Sequence, residues 1–207
     1  MLASTRFSNG AGSPPLRVAL LACWGIGLEM LETLNGDGRV RLTAVLTRMP
    51  REGDYWAGAV FERAGQLGLP AAAFEGLGEA GLLMALGYAD LLVVHAYPRK
   101  LPRTVFGAPR LGTVNVHPSL LPRYRGQAPT RAALADGAEE TGLTAHYMDD
   151  DYDTGAVIAQ ERIFVSEDDT EDTVIEHLKA VVPALMRETI TRVMDPLFEP
   201  APQTRVG

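Results

Sequence analysis

Two polar side chains stand at the end of a short apolar segment near the middle of the sequence. Asn115 and His117 are two positions apart, so on a β-strand they point to the same side, and Pro118 prevents that strand from continuing as a central ladder. An amide NH₂ and an imidazole on one face can both donate hydrogen bonds to an oxygen that gains negative charge. A histidine can also pass protons near neutral pH. The pair therefore indicates a site that stabilises a developing oxyanion.

A second polar segment offers the carboxylate that such a histidine needs. Asp153 precedes Thr154-Gly155, a turn that can bring backbone amides close to a ligand. A carboxylate beside an imidazole fixes its orientation and supports its charged form. Taken alone, these residues leave a second interpretation open, in which Asn115 and His117 are capped polar groups of a strand-end turn.

Two weaker patterns predict neither a dinucleotide nor a metal. Gly25-Ile26-Gly27 follows an apolar segment, but Met30 stands where a dinucleotide fingerprint needs a third small residue. Asp149–Gly155 carries alternating aspartates, yet Gln160 stands where a calcium loop would place its last carboxylate. We therefore expect no nicotinamide cofactor and no metal ion.

The elements around these residues alternate between strands and helices. Several predicted strands are wholly apolar, which favours an α/β fold with an open, doubly wound, mostly parallel sheet flanked by helices, Rossmann-like in form. Ligands of such sheets bind at the carboxyl ends of the strands. The predicted strands cover 16–23, 40–47, 71–74, 90–95, 113–116, 142–148 and 157–165, and the predicted helices begin near residues 26, 56, 79, 130 and 170.

Composition limits the classes of function. The 207 residues suit one domain, here 16–195, between a flexible N-terminal tail 1–15 and a C-terminal tail 196–207. The single cysteine, Cys23, excludes an internal disulfide, and no apolar segment is long enough to cross a bilayer. The formal net charge of −7 disfavours a nucleic-acid partner. We expect a cytoplasmic protein without a membrane partner, and its oligomeric state is not encoded in any recognisable pattern.

The two polar segments together resemble the folate-dependent formyltransferase family. The eight residues Asn115–Pro122, which read NVHPSLLP, are similar to the signature of that family, and Asp153-Thr154-Gly155 follows at the interval the family leads one to expect. The resemblance runs from about Leu16 to Leu178. It implies an N-formyltransferase that uses 10-formyltetrahydrofolate as co-substrate, with Asn115, His117 and Asp153 as the catalytic residues.

The resemblance also implies where the co-substrate binds. Backbone groups of two loops are expected to hold the pterin, and the candidate residues are Tyr97, Arg99, Leu101, Asp149, Asp150, Asp151 and Tyr152. Pro98 replaces a glycine of the family's usual turn after Tyr97, so the backbone of the first loop is expected to differ. His146 matches a histidine of the purine-pathway branch, and a role in the site and a role in strand packing both stay open.

The implied mechanism agrees with the chemistry of the residues. A neutral amine attacks the formyl carbon, while Asn115 and a protonated His117 stabilise the oxyanion. Asp153 keeps the imidazole charged and correctly turned, and helps to relay the proton of the amine.

Departures from the sequence patterns of the family's branches narrow the choice of amine acceptor. Trp24 stands where the purine branch carries a phosphate-binding loop with serine and asparagine, so a ribonucleotide acceptor of that kind is not expected. Arg123–Pro129 resembles the tRNA and sugar branches, but the acidic charge and the short segment after the long helix disfavour tRNA. We expect a small amine, either an amino sugar on a nucleotide or an amino-acid-derived intermediate.

Three alternatives stay open. The first is a 10-formyltetrahydrofolate hydrolase, which releases formate to water with a similar fold and triad. The second is a catalytically silent member of the family that binds folate or a partner. The third is a metal-dependent hydrolase that uses His117, His146 and Asp153 as ligands.

Overall fold

The computed structural model describes residues 14–49, 52 and 58–204. Residues 1–13 of the predicted N-terminal tail and 205–207 of the predicted C-terminal tail lie outside the described residues. So does most of the loop predicted at 48–55, together with the first residues of the helix predicted from Trp56.

Seven strands and six helices alternate along the described residues, except that the last two strands follow each other directly. The strands are β1 (Leu16–Ala22), β2 (Val40–Thr47), β3 (Ala71–Ala73), β4 (Leu91–His95), β5 (Thr113–His117), β6 (Glu140–Tyr147) and β7 (Val157–Phe164). The helices are α1 (Trp24–Gly36), α2 (Ala59–Gln66), α3 (Glu79–Leu86), α4 (Arg103–Phe106), α5 (Pro129–Ala135) and α6 (Glu171–Met194).

The strands form one sheet in the order β3-β2-β1-β4-β5-β6-β7. Neighbours from β3 to β5 pair in parallel, whereas β6 pairs antiparallel with both β5 and β7. The prediction of an open, mostly parallel α/β sheet is confirmed. The strand order reverses between β1 and β4, so the carboxyl ends of these two strands border the crevice where such sheets bind ligands.

Helices cover both faces of the sheet, because the central strands are buried on both sides. In β1, Val18 and Leu20 belong to the core beneath α1, α2 and α6, whereas Ala19 and Leu21 belong to the core beneath α3 and α4. Successive side chains of a strand point to opposite faces, so a wholly apolar strand supplies both cores at once. This packing fixes the strand ends that carry the polar residues.

The longest helix, α6, begins at a capping box. The hydroxyl of Thr170 accepts a hydrogen bond from the backbone N–H of Thr173, and the Thr173 hydroxyl accepts one from the backbone N–H of Thr170. Its buried face packs on the core shared with α1. None of the described helices is long and apolar enough to cross a membrane.

The segment after α6 follows the edge of the sheet. The sequence predicts a tail from residue 196, but Ala201 forms an antiparallel bridge with Val157, with N–O distances of 2.7 and 2.9 Å. The three prolines at 196, 200 and 202 hide any strand pattern. The pairing arises because β7 is an edge strand with unpaired backbone groups.

Candidate active site

Strand β5 carries the two polar residues of the central motif. Asn115 and His117 lie two residues apart on it, and Asn115 pairs with His146 of the antiparallel neighbour β6. His117 is only 5% exposed and His146 only 2%. The sheet register therefore gathers an amide and two imidazoles at the carboxyl end of β5.

Asp153 joins this group from the turn between β6 and β7. Its Oδ2 accepts a hydrogen bond from the backbone N–H of Gly126 at 2.9 Å and lies 3.5 Å from His117 Nδ1. Its Oδ1 accepts one from Asn115 Nδ2 at 3.2 Å and lies 3.5 Å from His146 Nε2. Thus Asn115, His117 and Asp153 lie together, and His146 is a fourth member whose place follows from the strand register.

Backbone carbonyls determine which nitrogen of each ring carries a proton. His117 donates from Nε2 to the Tyr124 carbonyl at 2.8 Å, which turns Nδ1 toward Asp153. His146 donates from Nδ1 to the Tyr147 carbonyl at 2.9 Å, so a neutral ring accepts at Nε2 from Asn115 Nδ2, 3.1 Å away. The two hydrogens of the Asn115 amide are therefore shared between His146 and Asp153.

Burial dominates the charge state of the central histidine. It lowers the pKa of His117, and the opposing attraction of Asp153 does not compensate for it. For Asp153, burial alone would raise the pKa, but its contacts with His146, His117 and the backbone N–H of Gly126 together lower it. The resemblance implies a His117 that is charged while it stabilises the oxyanion, whereas the lowered pKa favours a neutral ring in the free protein. At neutral pH the pair is an aspartate beside a neutral imidazole whose Nδ1 can accept a proton.

The third alternative, a metal-dependent hydrolase, would use His117, His146 and Asp153 as metal ligands. In the described ranges, no group of three or more His, Cys, Asp or Glu side chains is arranged to hold a metal ion.

The first loop predicted to bind the co-substrate follows β4. The Tyr97 ring packs edge-on against Phe74, with ring centroids 5.2 Å apart, and the Arg99 guanidinium lies 5.5 Å from the Tyr97 centroid. The side chain of Leu101 is buried in the core, with 1% exposed. Leu101 can therefore offer a ligand only its backbone.

The second loop, between β6 and β7, contacts the first. Lys100 donates a hydrogen bond to the Asp150 carbonyl, Arg103 pairs with the Asp150 carboxylate, and the Lys100 ammonium lies 5.6 Å from the ring centroid of Tyr152. Asp149 Oδ1 accepts hydrogen bonds from the backbone N–H of Asp151 and the hydroxyl of Thr154. The candidate loops therefore meet beside Asp153, and the binding roles of their residues stay predictions.

A tryptophan borders the same edge of the sheet. Trp24 begins α1 directly after β1, has a φ of 60°, and is 41% exposed. The Arg48 guanidinium, at the end of β2, lies 5.9 Å from its ring centroid. Ala22 of β1 pairs with His95 of β4, and the residue that precedes His95 pairs with Asn115 of β5. The wall that Trp24 forms therefore lies two strands away from the polar cluster. Sequence reasoning identifies Trp24 only as a departure from a phosphate loop and does not predict its contact with Arg48.

Together, these features describe an open α/β protein with an Asn-His-Asp cluster at the carboxyl edge of its sheet, next to the reversal of strand order. The family model "Formyl transferase" matches residues 77–190, more than half of the chain. The chain belongs to the formyl transferase family.

Individual relatives refine this placement. The methionyl-tRNA formyltransferase of Staphylococcus epidermidis is 39% identical over 125 residues, which are 60% of this chain and 40% of that protein. The enzyme of the same name from Staphylococcus aureus is 40% identical over 114 residues, 55% of this chain and 37% of that protein. The chain thus matches about two fifths of the length of these curated relatives.

Solved structures share the fold over nearly the whole chain. A phosphoribosylglycinamide formyltransferase from Bacillus halodurans has a TM-score of 0.74 at 28% identity and covers 88% of this chain and 98% of its own. A formyltetrahydrofolate deformylase from Pseudomonas syringae has a TM-score of 0.72 at 19% identity, with 87% of this chain and 62% of its own covered. The latter likeness concerns the fold alone.

Proposed function

We propose that the protein transfers a formyl group from 10-formyltetrahydrofolate to the amine of a small metabolite. The observation that carries the proposal is the contact network of one carboxylate: Asp153 lies 3.5 Å from His117 Nδ1 and accepts a hydrogen bond from Asn115. Membership of the formyl transferase family supports the same reaction.

The chemistry of the two candidate loops fits a folate. A pterin is a flat ring with many hydrogen-bonding groups, and Tyr97 and Tyr152 offer aromatic surfaces beside exposed loop backbone. Arg99 is an exposed cation that lies over the Tyr97 ring, and a cation suits the carboxylates of a folate tail. Tyr97, Arg99, the backbone of Leu101, and the loop Asp149–Tyr152 would hold this co-substrate.

The bound donor supplies an electrophilic formyl carbon, and three side chains of this protein stabilise the oxyanion and transfer the proton. The Asn115 amide donates a hydrogen bond to the formyl oxygen as it gains negative charge, giving up one of its two present acceptors. His117 Nδ1 accepts the proton that the amine loses as its bond to carbon forms. Asp153 stabilises the resulting imidazolium, which can return the proton to the nitrogen that leaves.

A small amine is the acceptor we favour. The exposed Trp24 ring follows β1, and the Arg48 guanidinium above it follows β2, so this wall offers a flat, partly apolar surface in place of a phosphate loop. Such a surface suits an acceptor that carries a ring, and among our candidates an amino sugar on a nucleotide has one.

A second candidate acceptor is the amino group of methionyl-tRNA. The observation in its favour is the 39% identity with a methionyl-tRNA formyltransferase. The same site would perform the same transfer, and only the recognition of the acceptor would differ.

The test is an incubation of the purified protein with 10-formyltetrahydrofolate and one amine at a time, while tetrahydrofolate and formate are both measured. The panel contains nucleotide-linked amino sugars, ornithine derivatives, methionyl-tRNA and a blank without amine. We expect tetrahydrofolate to appear with a small amine and a formylated product to accompany it.

Each alternative has its own outcome in this experiment. Turnover with methionyl-tRNA alone would support the second candidate. Formate released in the blank at the full rate would indicate a hydrolase. Folate binding without turnover for any amine would indicate a silent member of the family, and metal analysis of the active protein tests the metal-dependent alternative.

A further inference from the structure

The turn that carries Asp153 is held by a residue of the C-terminal segment. The side-chain amide of Gln203 donates to two carbonyls of this turn, that of Asp153 at 3.0 Å and that of Gly155 at 2.8 Å. The proposed reaction makes no direct use of Gln203. We infer that Gln203 is a positioning residue that fixes the Asp153 carboxylate through its own backbone.

A neighbouring arginine orients the Gln203 amide. Arg125 donates to Gln203 Oε1 from Nη2 at 2.6 Å and from Nε at 3.1 Å, and its Nε also lies 3.1 Å from the Asp153 carbonyl. With its oxygen held by a cation, the amide turns both N–H bonds toward the turn. Arg125 and Gln203 thus both donate to the backbone carbonyl of Asp153.

The same loop holds the other end of the aspartate. Gly126, next to Arg125, donates its backbone N–H to Asp153 Oδ2, the oxygen that faces His117. A shift of the turn would therefore change the carboxylate–imidazole distance and the Gly126 hydrogen bond together. This coupling links Gln203 to His117, although among the described residues no hydrogen bond joins these two side chains directly.

The turn has a conformation that needs such support. Asp153 has a φ of 55°, in the left-handed region that residues other than glycine rarely adopt. Residues of this kind keep such a conformation only where their surroundings over-determine it. The two carbonyls that flank the turn are the atoms that Gln203 holds.

The position of Gln203 depends in turn on the edge of the sheet. The bridge between Ala201 and Val157 places the segment alongside β7, two residues before Gln203. The C-terminal segment up to Gln203 therefore borders the Asp153 turn.

The inference rests on the proposed function for its kinetic test. Gln203→Ala removes all four contacts of the amide, and Gln203→Glu keeps an acceptor for Arg125 but loses both donors to the turn. For each variant we expect kcat to fall about tenfold or more with little change in KM for the amine, because a misplaced catalytic group costs rate. Thr204→Ala, at an exposed neighbour in the same segment, is the matched control.

A second readout does not require activity. Hydrogen exchange of the Gly126 amide reports its bond to Asp153, and we expect it to become about tenfold faster in both Gln203 variants and to stay unchanged in Thr204→Ala. Wild-type kcat and Gly126 exchange in both Gln203 variants would overturn the inference. A wild-type protein without transfer to any amine would overturn the proposed function instead, and the exchange experiment would still decide the role of Gln203.

Discussion

The carboxylate of Asp153 divides its two oxygens between different partners. Oδ2 faces His117 and is fixed by Gly126, whereas Oδ1 faces Asn115 and His146. An amide in its place would turn its NH₂ group toward either the Gly126 N–H or the Asn115 amide, which are themselves donors. The negative charge is thus needed for the arrangement of the site as well as for the stabilisation of a charged imidazole.

Asp153→Asn tests this need directly. We expect turnover to fall at least about a hundredfold, because loss of one such electrostatic partner typically costs ~3 kcal/mol of barrier. His117→Ala should have a similar effect. The measurement is initial-rate formation of tetrahydrofolate at saturating amine, with Asp168→Asn at an exposed position as control. Asp153→Asn with the activity of the control would contradict the proposed role of the carboxylate.

His95 is a buried histidine outside the Asn-His-Asp cluster. Its Nδ1 donates to the Val116 carbonyl at 2.9 Å, and burial lowers its pKa to about 4. Below its unfolded pKa of about 6.5 the unfolded chain binds a proton that the folded chain does not, so stability falls as the pH falls from 6.5 toward 4. His117, with its lowered pKa, acts in the same direction.

The expected result is a smaller loss of stability on acidification in His95→Asn than in the wild type. A difference of up to about 3 kcal/mol between pH 6.5 and 4 follows from the shift of His95. Urea unfolding at a series of pH values measures it, and His177→Asn on the exposed side of α6 is the control. Equal pH slopes in His95→Asn and the wild type would show that His95 titrates alike in both states.

The sequence predicts which polar side chains lie together better than it predicts their charge. The two-residue spacing on a strand followed by Pro118 places Asn115 and His117 on one side, as the structure has them. His146 needs the register of β6 against β5, which a single sequence does not contain. The neutral state of His117 depends on burial, and burial appears only after the fold is assembled.

At the scale of elements, the β6–β7 connection determines where Asp153 lies. Gly155 approaches the Tyr147 carbonyl so closely that a Cβ atom at this position would lie 1.8 Å from the carbonyl oxygen. Only glycine allows the turn to close against β6. The Asp-Thr-Gly order of the motif thus has a steric reason.

Gly155→Ala should therefore shift the turn and destabilise the protein by about 3 kcal/mol, at the upper end of what overpacking usually costs. Activity should fall with it, because Asp153 moves with the turn. Thermal unfolding and turnover are the measurements. Gly36→Ala at the end of α1, where nothing lies within 4 Å of the added Cβ, should stay within about 0.5 kcal/mol of the wild type. Wild-type stability for Gly155→Ala would contradict the close approach.

Strands with a strong apolar pattern are predicted well from the sequence, and short or irregular elements are not. The bounds of β2 agree with the prediction, as does the first residue of α3. The four-residue helix α4 is absent from the prediction because one turn has no periodicity to detect. The bridge at Ala201 is absent because it depends on a free sheet edge and not on local pattern.

At the scale of the whole molecule, the net charge bears on the choice between a small amine and tRNA as the acceptor. The chain carries a formal charge of −7, which repels a polyanion unless basic residues are gathered on one surface. Lys100 and Arg103, beside the site, already pair with Asp150. This distribution of charge supports our proposal of a small amine over tRNA.

We therefore expect weak, non-specific tRNA binding with a dissociation constant above about 10⁻⁶ M at physiological salt. Filter binding at several salt concentrations measures it, with a basic tRNA-binding protein as positive control. Much tighter binding with a steep salt dependence would reverse the order of the two candidate acceptors and leave the formyl transfer itself untouched.

The most direct test of the central claim follows the formyl carbon itself. The protein is incubated with 10-formyltetrahydrofolate labelled with ¹³C in the formyl group and with the ¹⁵N-labelled amine that is active in the panel, and the product is observed by NMR. We predict a formyl ¹³C signal split by a directly bonded ¹⁵N, formed by the wild type and lost in Asp153→Asn. A ¹³C signal that appears only as free formate would contradict the account. So would a ¹⁵N-split signal that Asp153→Asn forms at the same rate as the wild type.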